Sequence, residues 1–274
     1  MTNMINILIN SSKPIILIDQ SYYVFNRYYA TCNWYGHQKK ECNDLEDIEN
    51  NTDFIMAFFR HFENDMNKIM KKYKTIKSNI IFCCDCIRCD IWRNNIYKEY
   101  KSTRVKKEKF NINIFNLFKN YISNNNFNYC ESNNLEADDI TYIIQKKIKD
   151  EFRNYSIIII TNDNDYLQMY DNNTIIINMQ LKDISLRINT NPMTELEFKI
   201  IYGDKSDNIS KIQTGLKKND AIKLANMNKE DRNKYLIENN LMQKYLFNKK
   251  LVDLTEIPEK LINDFNSKYN IIKR

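Results

Sequence analysis

The chain has 274 residues, of which 43% are hydrophobic and 28% are charged, a balance that is typical of globular proteins and excludes low-complexity disorder. The 41 basic residues outnumber the 35 acidic ones, so the formal net charge is +6. A basic surface favours a polyanionic partner, nucleic acid before membrane, although a generally solvated basic surface would give the same total.

The seven cysteines do not form a recognisable disulfide or zinc framework. Cys86 and Cys89 have C-x-x-C spacing, but no second pair with zinc-site spacing follows. The first residues lack the pattern of a secretory signal peptide, and no apolar run approaches the length of a membrane span. We therefore expect reduced cysteines, a cytoplasmic location and no membrane partner.

Short apolar runs that end in an acidic residue recur along the chain. PIILID ends at Asp19 and NIIFCCD ends at Asp85. Each run predicts a buried parallel strand with the acid at its C-terminal tip. In open parallel sheets ligands bind at this edge, so both acids are candidate ligands.

Between and after these strands, apolar residues recur at helical spacing. This spacing predicts helices over Ser21 to Tyr35, Thr52 to Lys72 and Phe110 to Ile122. A short strand is predicted over Phe127 to Cys130, and a further buried strand over Thr174 to Asn178. Alternating strands and helices favour an α/β fold.

Aromatic and basic residues are interleaved in WRNNIYKEYKSTR and the residues after it. The members are Trp92, Arg93, Tyr97, Tyr100, Lys101, Arg104, Lys106 and Lys107. Stacking on bases and pairing with phosphates require this combination. A charged helix whose aromatic residues pack inward would have the same pattern.

The segment LEADDI carries three acids, Glu136, Asp138 and Asp139, at the start of an amphipathic helical pattern. Acids in a first helical turn can simply complement the helix dipole and cap free N–H groups. A third apolar run, SIIIITNDND, ends in Asp163 and Asp165, for which an Asx-rich turn is the alternative interpretation.

A last acidic pair, Asp204 and Asp207, follows a helix predicted over Met193 to Tyr202. Like charges gathered in one place repel unless a cation neutralises them, so nine converging acids would indicate bound metal. Setting these nine aside leaves 26 acidic against 41 basic residues, an excess of 15 on the rest of the chain. That excess suits nucleic acid.

In their joint order, these motifs resemble those of the 5′ nuclease superfamily, which comprises flap endonucleases and 5′-3′ exonucleases with a PIN-like core. The F-R-x-x-x-Y-x-x-Y-K-x-x-R signature is matched from Trp92 to Arg104, and the E-A-D-D box from Glu136 to Asp139. The T-x-D-x-D-x-x-Q box spans Thr161 to Gln168, and the G-D-x-S-D-N box spans Gly203 to Asn208.

The resemblance implies a two-metal site for two Mg²⁺ or Mn²⁺ ions. Asp19, Asp85, Glu136 and Asp138 would hold the first ion, and Asp163, Asp165 and Asp207 would surround the second. Asp139 and Asp204 would be outer ligands. Lys101 and Arg104 would face the scissile phosphate, Arg93 a neighbouring phosphate, and Tyr97 or Tyr100 the terminal base.

Two nucleic-acid-binding parts are also implied. Residues 91–122 resemble a helical arch that admits a single-stranded 5′ end, with Lys106 and Lys107 on it. Beyond Asp207 the chain resembles a helix-three-turn-helix that binds duplex backbone, with Lys211, Gly215, Lys217 and Lys218 at its turn. A K⁺ ion commonly binds this turn in the superfamily, but here Lys217 replaces a glycine.

We therefore expect a mostly parallel sheet with helices on both faces and a catalytic core over residues 1–190 that includes the helical arch. Residues 191–274 are expected to form a duplex-binding region and a C-terminal tail. The expected activity is metal-dependent cleavage near 5′ ends of branched or duplex DNA, or of RNA–DNA hybrids, in replication and repair. Replication proteins are candidate partners, a monomer is expected, and a viral replication site in an infected cell is the other expected location.

Two other functions remain open from the sequence. A PIN-like ribonuclease shares the acidic site but does not explain the arch signature. A catalytically silent, structure-specific DNA-binding protein explains the basic surface but not the complete set of acids.

Overall fold

The computed structural model describes residues 4–38, 50–104, 110–187 and 191–273. Its centre is a five-stranded sheet in the order β4-β3-β2-β5-β6, and every neighbouring pair of these strands is parallel. The strands are β2 (Ile15–Asp19), β3 (Ile80–Cys84), β4 (Asn128–Glu131), β5 (Ile157–Ile160) and β6 (Thr174–Ile177). The predicted α/β fold is confirmed.

Two hydrophobic clusters cover the two faces of this sheet, because neighbouring side chains of a strand point to opposite faces. Ile16 and Ile18 face one layer of helices, whereas Ile15 and Leu17 face the other. The first layer contains α1 (Gln20–Gln38), α2 (Thr52–Tyr73) and α3 (Asn113–Asn124). The second contains α4 (Ala137–Glu151) and α9 (Glu259–Lys268).

A third hydrophobic cluster holds the helices that follow the sheet. They are α5 (Pro192–Tyr202), α6 (Lys218–Asn226), α7 (Lys229–Glu238) and α8 (Met242–Val252). Ile91 and Tyr100 also belong to this cluster, so the aromatic and basic segment packs against α5 to α8. None of the described helices has both the length and the apolar character needed to span a membrane.

The C-terminal residues do not stay with these helices. β7 (Tyr269–Lys273) pairs in parallel with β1 (Ile5–Ile9) to form a separate two-stranded sheet. Tyr269 and Ile271 are buried in the cluster that covers α4. The residues after α8, which fall in the expected C-terminal tail, therefore pack on the core.

The first half of the expected helical arch also differs from the prediction. Trp92–Asn95 form a 3-10 helix, and the residues from there to Arg104 are mainly turns. Regular α-helix begins only at Asn113, in α3. Lys106 and Lys107 lie outside the described residues.

Candidate metal centre

Three acids lie at the carboxyl edge of the sheet because the strands are parallel and adjacent. Asp19 is the last residue of β2, Asp85 directly follows β3, and Asp163 lies three residues after β5. The Thr161 hydroxyl donates to Asp19 Oδ2 at 2.9 Å and accepts from the Asp163 N–H at 3.2 Å. These bonds join the ends of β2 and β5 at the cleft.

The head of α4 brings the next acids to the same edge. Glu136 caps the helix, and the Asp139 carboxylate accepts the Glu136 N–H at 3.1 Å, which completes a capping box. The Ala137 N–H donates to Asp85 Oδ1 at 2.8 Å. The acids of LEADDI thus do cap the helix, but they also meet the acids of the neighbouring strands.

The G-D-x-S-D-N box forms a tight turn beyond α5. Gly203 ends the helix with φ +75°, and a Cβ there would collide with the backbone of Ile209 and Ser210. Asp204 and Ile209 then form an antiparallel bridge. This turn carries Asp204 and Asp207 toward Asp165.

Within the described residues two groups of acids result, each with ligand oxygens within 4.8 Å of one another. The head group consists of Glu136, Asp138 and Asp139, and the turn group consists of Asp165, Asp204 and Asp207. Seven of the nine expected acids line one cleft of about 1070 Å³: Asp19, Asp85, Glu136, Asp138, Asp163, Asp165 and Asp204.

Mutual repulsion and burial shape the titration of these acids. Burial and the neighbouring Asp85 raise the pKa of Asp19 to about 7. Burial, Asp139 and Glu136 raise the pKa of Asp138 well above its ordinary value. Burial and Asp165 raise the pKa of Asp163 to about 6. Carboxylates held together at such a cost fit a cation-binding site.

Lys101 lies between the two groups, and Arg104 lies beside the turn group. Lys101 forms an ion pair with Glu136 and lies 3.8 Å from Asp207, and Arg104 pairs with Asp207 at 2.5 Å. Although burial opposes it, Lys101 and Arg93 lower the pKa of Glu136. Lys101 itself has a left-handed backbone, φ +55°, held by its N–H bond to the Asp207 carbonyl at 3.0 Å.

Arg93 does not have the phosphate-binding position that was expected. Its side chain is 2% exposed, and its guanidinium donates to both Asp139 oxygens at 2.8 and 2.9 Å and to Glu136 at 3.0 Å. The Trp92 indole N–H also donates to Asp139, at 3.0 Å. Asp139 thus accepts bonds from Arg93, Trp92 and the Glu136 N–H, which fits an outer position, and Arg93 supports the site from inside.

The two tyrosines expected to stack on a base differ in their surroundings. Tyr100 is buried, and its hydroxyl lies 3.1 Å from Glu136 and 3.2 Å from Asp207, so it links the two acid groups and offers no free ring face. Tyr97 is half-buried against Phe247, and its hydroxyl donates to the Asn208 carbonyl at 3.1 Å. Tyr100 is therefore corrected to a buried position within the site.

The sequence interpretation missed Lys199, a cation of the cleft that binds the turn group. Lys199 on α5 forms ion pairs with Asp165 and, at 2.6 Å, with Asp204. Burial opposes its charge, but these acids raise the pKa of Lys199, and Lys199 lowers the pKa of Asp204 to about 2 against the effect of burial. The only available signal was a lysine inside the apolar run EFKIIY, five residues before Asp204.

The residues expected at the duplex-binding turn fall into two kinds. Gly215 has φ +78° and open space around it, and Lys217 and Lys218 are exposed at the start of α6. Lys211 instead donates to the Leu216 carbonyl at 2.8 Å and lies 4.0 Å from the Tyr202 ring centroid. Lys211 therefore fastens the turn and does not point outward.

The donors of both groups are carboxylate oxygens, which suit hard divalent cations such as Mg²⁺ and Mn²⁺. Burial and neighbouring carboxylates raise the pKa values of Asp19, Asp138 and Asp163, and a divalent cation beside them would oppose both effects. The arrangement therefore fits two divalent ions, the first held by the acids of the sheet edge and α4, the second by Asp163 and the turn group.

Comparison with known proteins agrees with this geometry. Residues 14–199 match the family described as 5′-3′ exonuclease, N-terminal resolvase-like domain. A 5′-3′ exonuclease of Mycoplasmopsis pulmonis is 29% identical, and the alignment covers 96% of this chain and 88% of that protein. One from Buchnera aphidicola subsp. Schizaphis graminum is 28% identical, over 72% of this chain and 64% of that protein.

Solved structures share the fold. The 5′-exonuclease of bacteriophage T5 with bound zinc superposes with a TM-score of 0.60 at 16% identity, covering 92% of this chain and 97% of that one. A complex of the bacteriophage T5 flap endonuclease with DNA and metal ions superposes with a TM-score of 0.59, also at 16% identity, covering 92% of this chain and 96% of that one.

Proposed function

Because this chain belongs to the 5′-3′ exonuclease family, whose N-terminal resolvase-like domain it matches over residues 14–199, we propose that it is a structure-specific 5′ nuclease. It hydrolyses phosphodiesters at or near 5′ ends of duplex or branched DNA. The observation that carries the proposal is the cleft in which acids from three strand ends, α4 and the turn beyond α5 meet Lys101 and Arg104.

Mg²⁺ or Mn²⁺ held by the two acid groups would activate a water for attack and stabilise the leaving oxygen. The chain's own cations would neutralise the phosphate that is cleaved. Lys101 and Arg104 have ammonium and guanidinium donors at the boundary between the groups, where they would neutralise the scissile phosphate. Tyr100 holds Glu136 and Asp207 at a fixed separation.

We propose that the turn before α6 binds the backbone of the duplex. The exposed Lys217 and Lys218 and the open space at Gly215 support this, since a helix N-terminus favours a phosphate. Because the Lys211 ammonium already bonds the Leu216 carbonyl, we infer that this turn does not require K⁺. Equal flap affinity in potassium and sodium chloride would support this inference, and a loss of affinity in sodium would contradict it.

We propose 5′-flap DNA as the preferred substrate, with exonuclease action on 5′ ends and primer removal from RNA–DNA hybrids as further activities. Since all nine acids come from one chain, a monomer suffices for the reaction. Light scattering of the purified protein with and without flap DNA tests the monomer.

The proposed activity is tested with an end-labelled 5′-flap duplex in Mg²⁺ and then in EDTA. We expect cutting near the junction in Mg²⁺ only, abolished by Asp163→Ala and strongly slowed by Lys101→Ala. Lys98→Ala is the matched control, because Lys98 is exposed three residues before Lys101. Tight binding without cleavage by the wild type, in Mg²⁺ or Mn²⁺, would instead identify a silent structure-specific binding protein.

A further inference from the structure

The carboxyl end of α8 contacts two side chains, Arg93 and Gln168, each of which also bonds a member of one acid group. Carbonyls in the last turn of a helix lack partners within the helix. Here the Leu251 carbonyl accepts from Arg93 Nε at 2.9 Å, and the Val252 carbonyl accepts from Gln168 Nε2 at 3.3 Å. Just beyond the helix, the Leu254 N–H donates to Gln168 Oε1 at 3.0 Å. Two side chains from distant motifs thus cap one helix end.

On its other side, Arg93 holds the head group. The guanidinium that bonds Leu251 also bonds Glu136 and both oxygens of Asp139, and it lies 4.6 Å from the Trp92 ring centroid. These contacts fix the direction of the guanidinium plane. A cation at a helix C-terminus is also favoured by the helix dipole.

Gln168 holds the other side of the cleft in the same way. Its Nε2 donates to the Asp165 carbonyl at 2.9 Å, across the 3-10 helix Asn164–Met169. Asp163 caps this helix by accepting the Asp165 N–H at 2.9 Å. Gln168 therefore connects the end of α8 to the backbone that presents Asp163 and Asp165.

We propose that Arg93 and Gln168 are positioning residues that use the carboxyl end of α8 to set the spacing of the two acid groups. Neither acts on the substrate; each acts through the carboxylates that it places. This rests on the proposed function, since the spacing matters only if both groups bind divalent ions. It also gives α8, a helix of the expected duplex-binding region, a direct connection to the metal ligands.

The test measures Mn²⁺ binding by calorimetry without DNA, on the wild type, Gln168→Met and Arg93→Lys. Residues that orient metal ligands typically change metal affinity by 10- to 100-fold, so we expect each variant to bind Mn²⁺ at least about tenfold more weakly. Methionine keeps the length of Gln168 but cannot bond Val252 or Leu254. Lysine keeps the charge of Arg93 but cannot bond Leu251, Glu136 and Asp139 together.

The matched control is Asn79→Leu. Asn79 is a fully buried amide that bonds the carbonyls of Asn10, Lys13 and Pro14 at the amino edge of the sheet, away from the acids. It should lower the free energy of unfolding and leave Mn²⁺ affinity unchanged. Urea unfolding of all the variants identifies any whose loss of affinity reflects a failure to fold.

The possible results separate the two proposals. Wild-type Mn²⁺ affinity in a folded Gln168→Met variant would overturn the positioning role, and so would an equal loss of affinity in Asn79→Leu. A wild type that binds no Mn²⁺ at all would overturn the proposed nuclease function itself. For variants with weakened binding, we also expect a lower kcat on flap DNA at saturating DNA, with an unchanged KM.

Discussion

The head group and the turn group of acids are neutralised from opposite directions. Arg93 approaches the head group from the interior, with 2% of its side chain exposed. Lys199 approaches the turn group from the cleft, with 21% exposed. The head group also stands at the start of a regular helix, whereas Asp204 and Asp207 lie on a turn.

This difference makes Arg93 a permanent counter-charge of the head group and Lys199 an exchangeable counter-charge of the turn group. Removing one partner of a buried ion pair leaves an uncompensated charge and costs about 3 to 5 kcal/mol, so Arg93 is part of the folded structure. Lys199 lines the cleft and could give way to another cation without opening the core. The head group is therefore expected to define the site, and the turn group to adjust to what binds there.

The largest expected effect is on the head group. Asp138→Asn should lower the single-turnover cleavage rate of a 5′ flap on the order of 10³-fold, because it removes a carboxylate that no other residue can replace. Asp150→Asn, an exposed acid near the other end of α4, is the control and should cleave normally. Near-normal cleavage by Asp138→Asn would show that the head group does not define the site.

The second largest effect on the cleavage rate is expected for the cations beside the two groups. Lys101→Met is expected to slow cleavage on the order of 10²-fold, and Arg104→Met only about tenfold, because an exposed cation is screened by water. The Lys101 side chain is 12% exposed and contacts both groups, while that of Arg104 is 41% exposed and contacts one. Equal losses for the two variants, in parallel single-turnover assays, would contradict this ranking.

The turn group should show a gain in affinity. Lys199→Met removes an ammonium that competes with a metal ion for Asp165 and Asp204. Because affinity rises with the net negative charge of the ligands, we expect the weaker Mn²⁺ ion to bind about tenfold more tightly. Calorimetric titration measures this. Lys205→Met, which removes a cleft lysine that pairs with no acid of the described chain, should leave the affinity unchanged. Weaker binding by Lys199→Met would mean that Lys199 supports the site.

The smallest expected effect is on stability. Burial and Asp85 raise the pKa of Asp19 to about 7, so its ionised form opposes folding when no metal is bound. Asp19→Asn should raise the free energy of unfolding in EDTA by about 1 kcal/mol at pH 8. The gain should shrink at pH 5.5, where the wild-type carboxyl is protonated and no longer repelled. Urea unfolding at both pH values tests this, and a gain that grows at low pH would contradict it.

The strands and their acids could be predicted because their signals are local. A run such as IIII, bounded by polar residues, predicts a buried strand, and parallel pairing brings the acids that follow to one edge. Helices α1, α2 and α5 were predicted to within a few residues because their apolar spacing is regular. The meeting of Asp19 and Asp85 in one cleft follows from the parallel strands, and Glu136 joins them because it begins α4.

The parts that could not be predicted depend on distant packing. β1 and β7 pair across more than 260 residues, and neither sequence identifies its partner. The sequence predicts Arg93 to be a surface cation, because the acids that it bonds lie more than 40 residues away and its carbonyl partner, Leu251, lies 158 residues away. The role of Lys199 likewise appears only once α5 has packed beside the 3-10 helix that follows β5.

The contact of Trp92 with Asp139 gives the site an optical reporter. Trp92 is one of two tryptophans; its indole lies against Arg93 and bonds a carboxylate of the head group. The other, Trp34, packs against His61 and Arg60 in the opposite layer of helices. In a Trp34→Phe variant, the emission of the remaining indole therefore follows the charge and geometry of the head group alone, without any label.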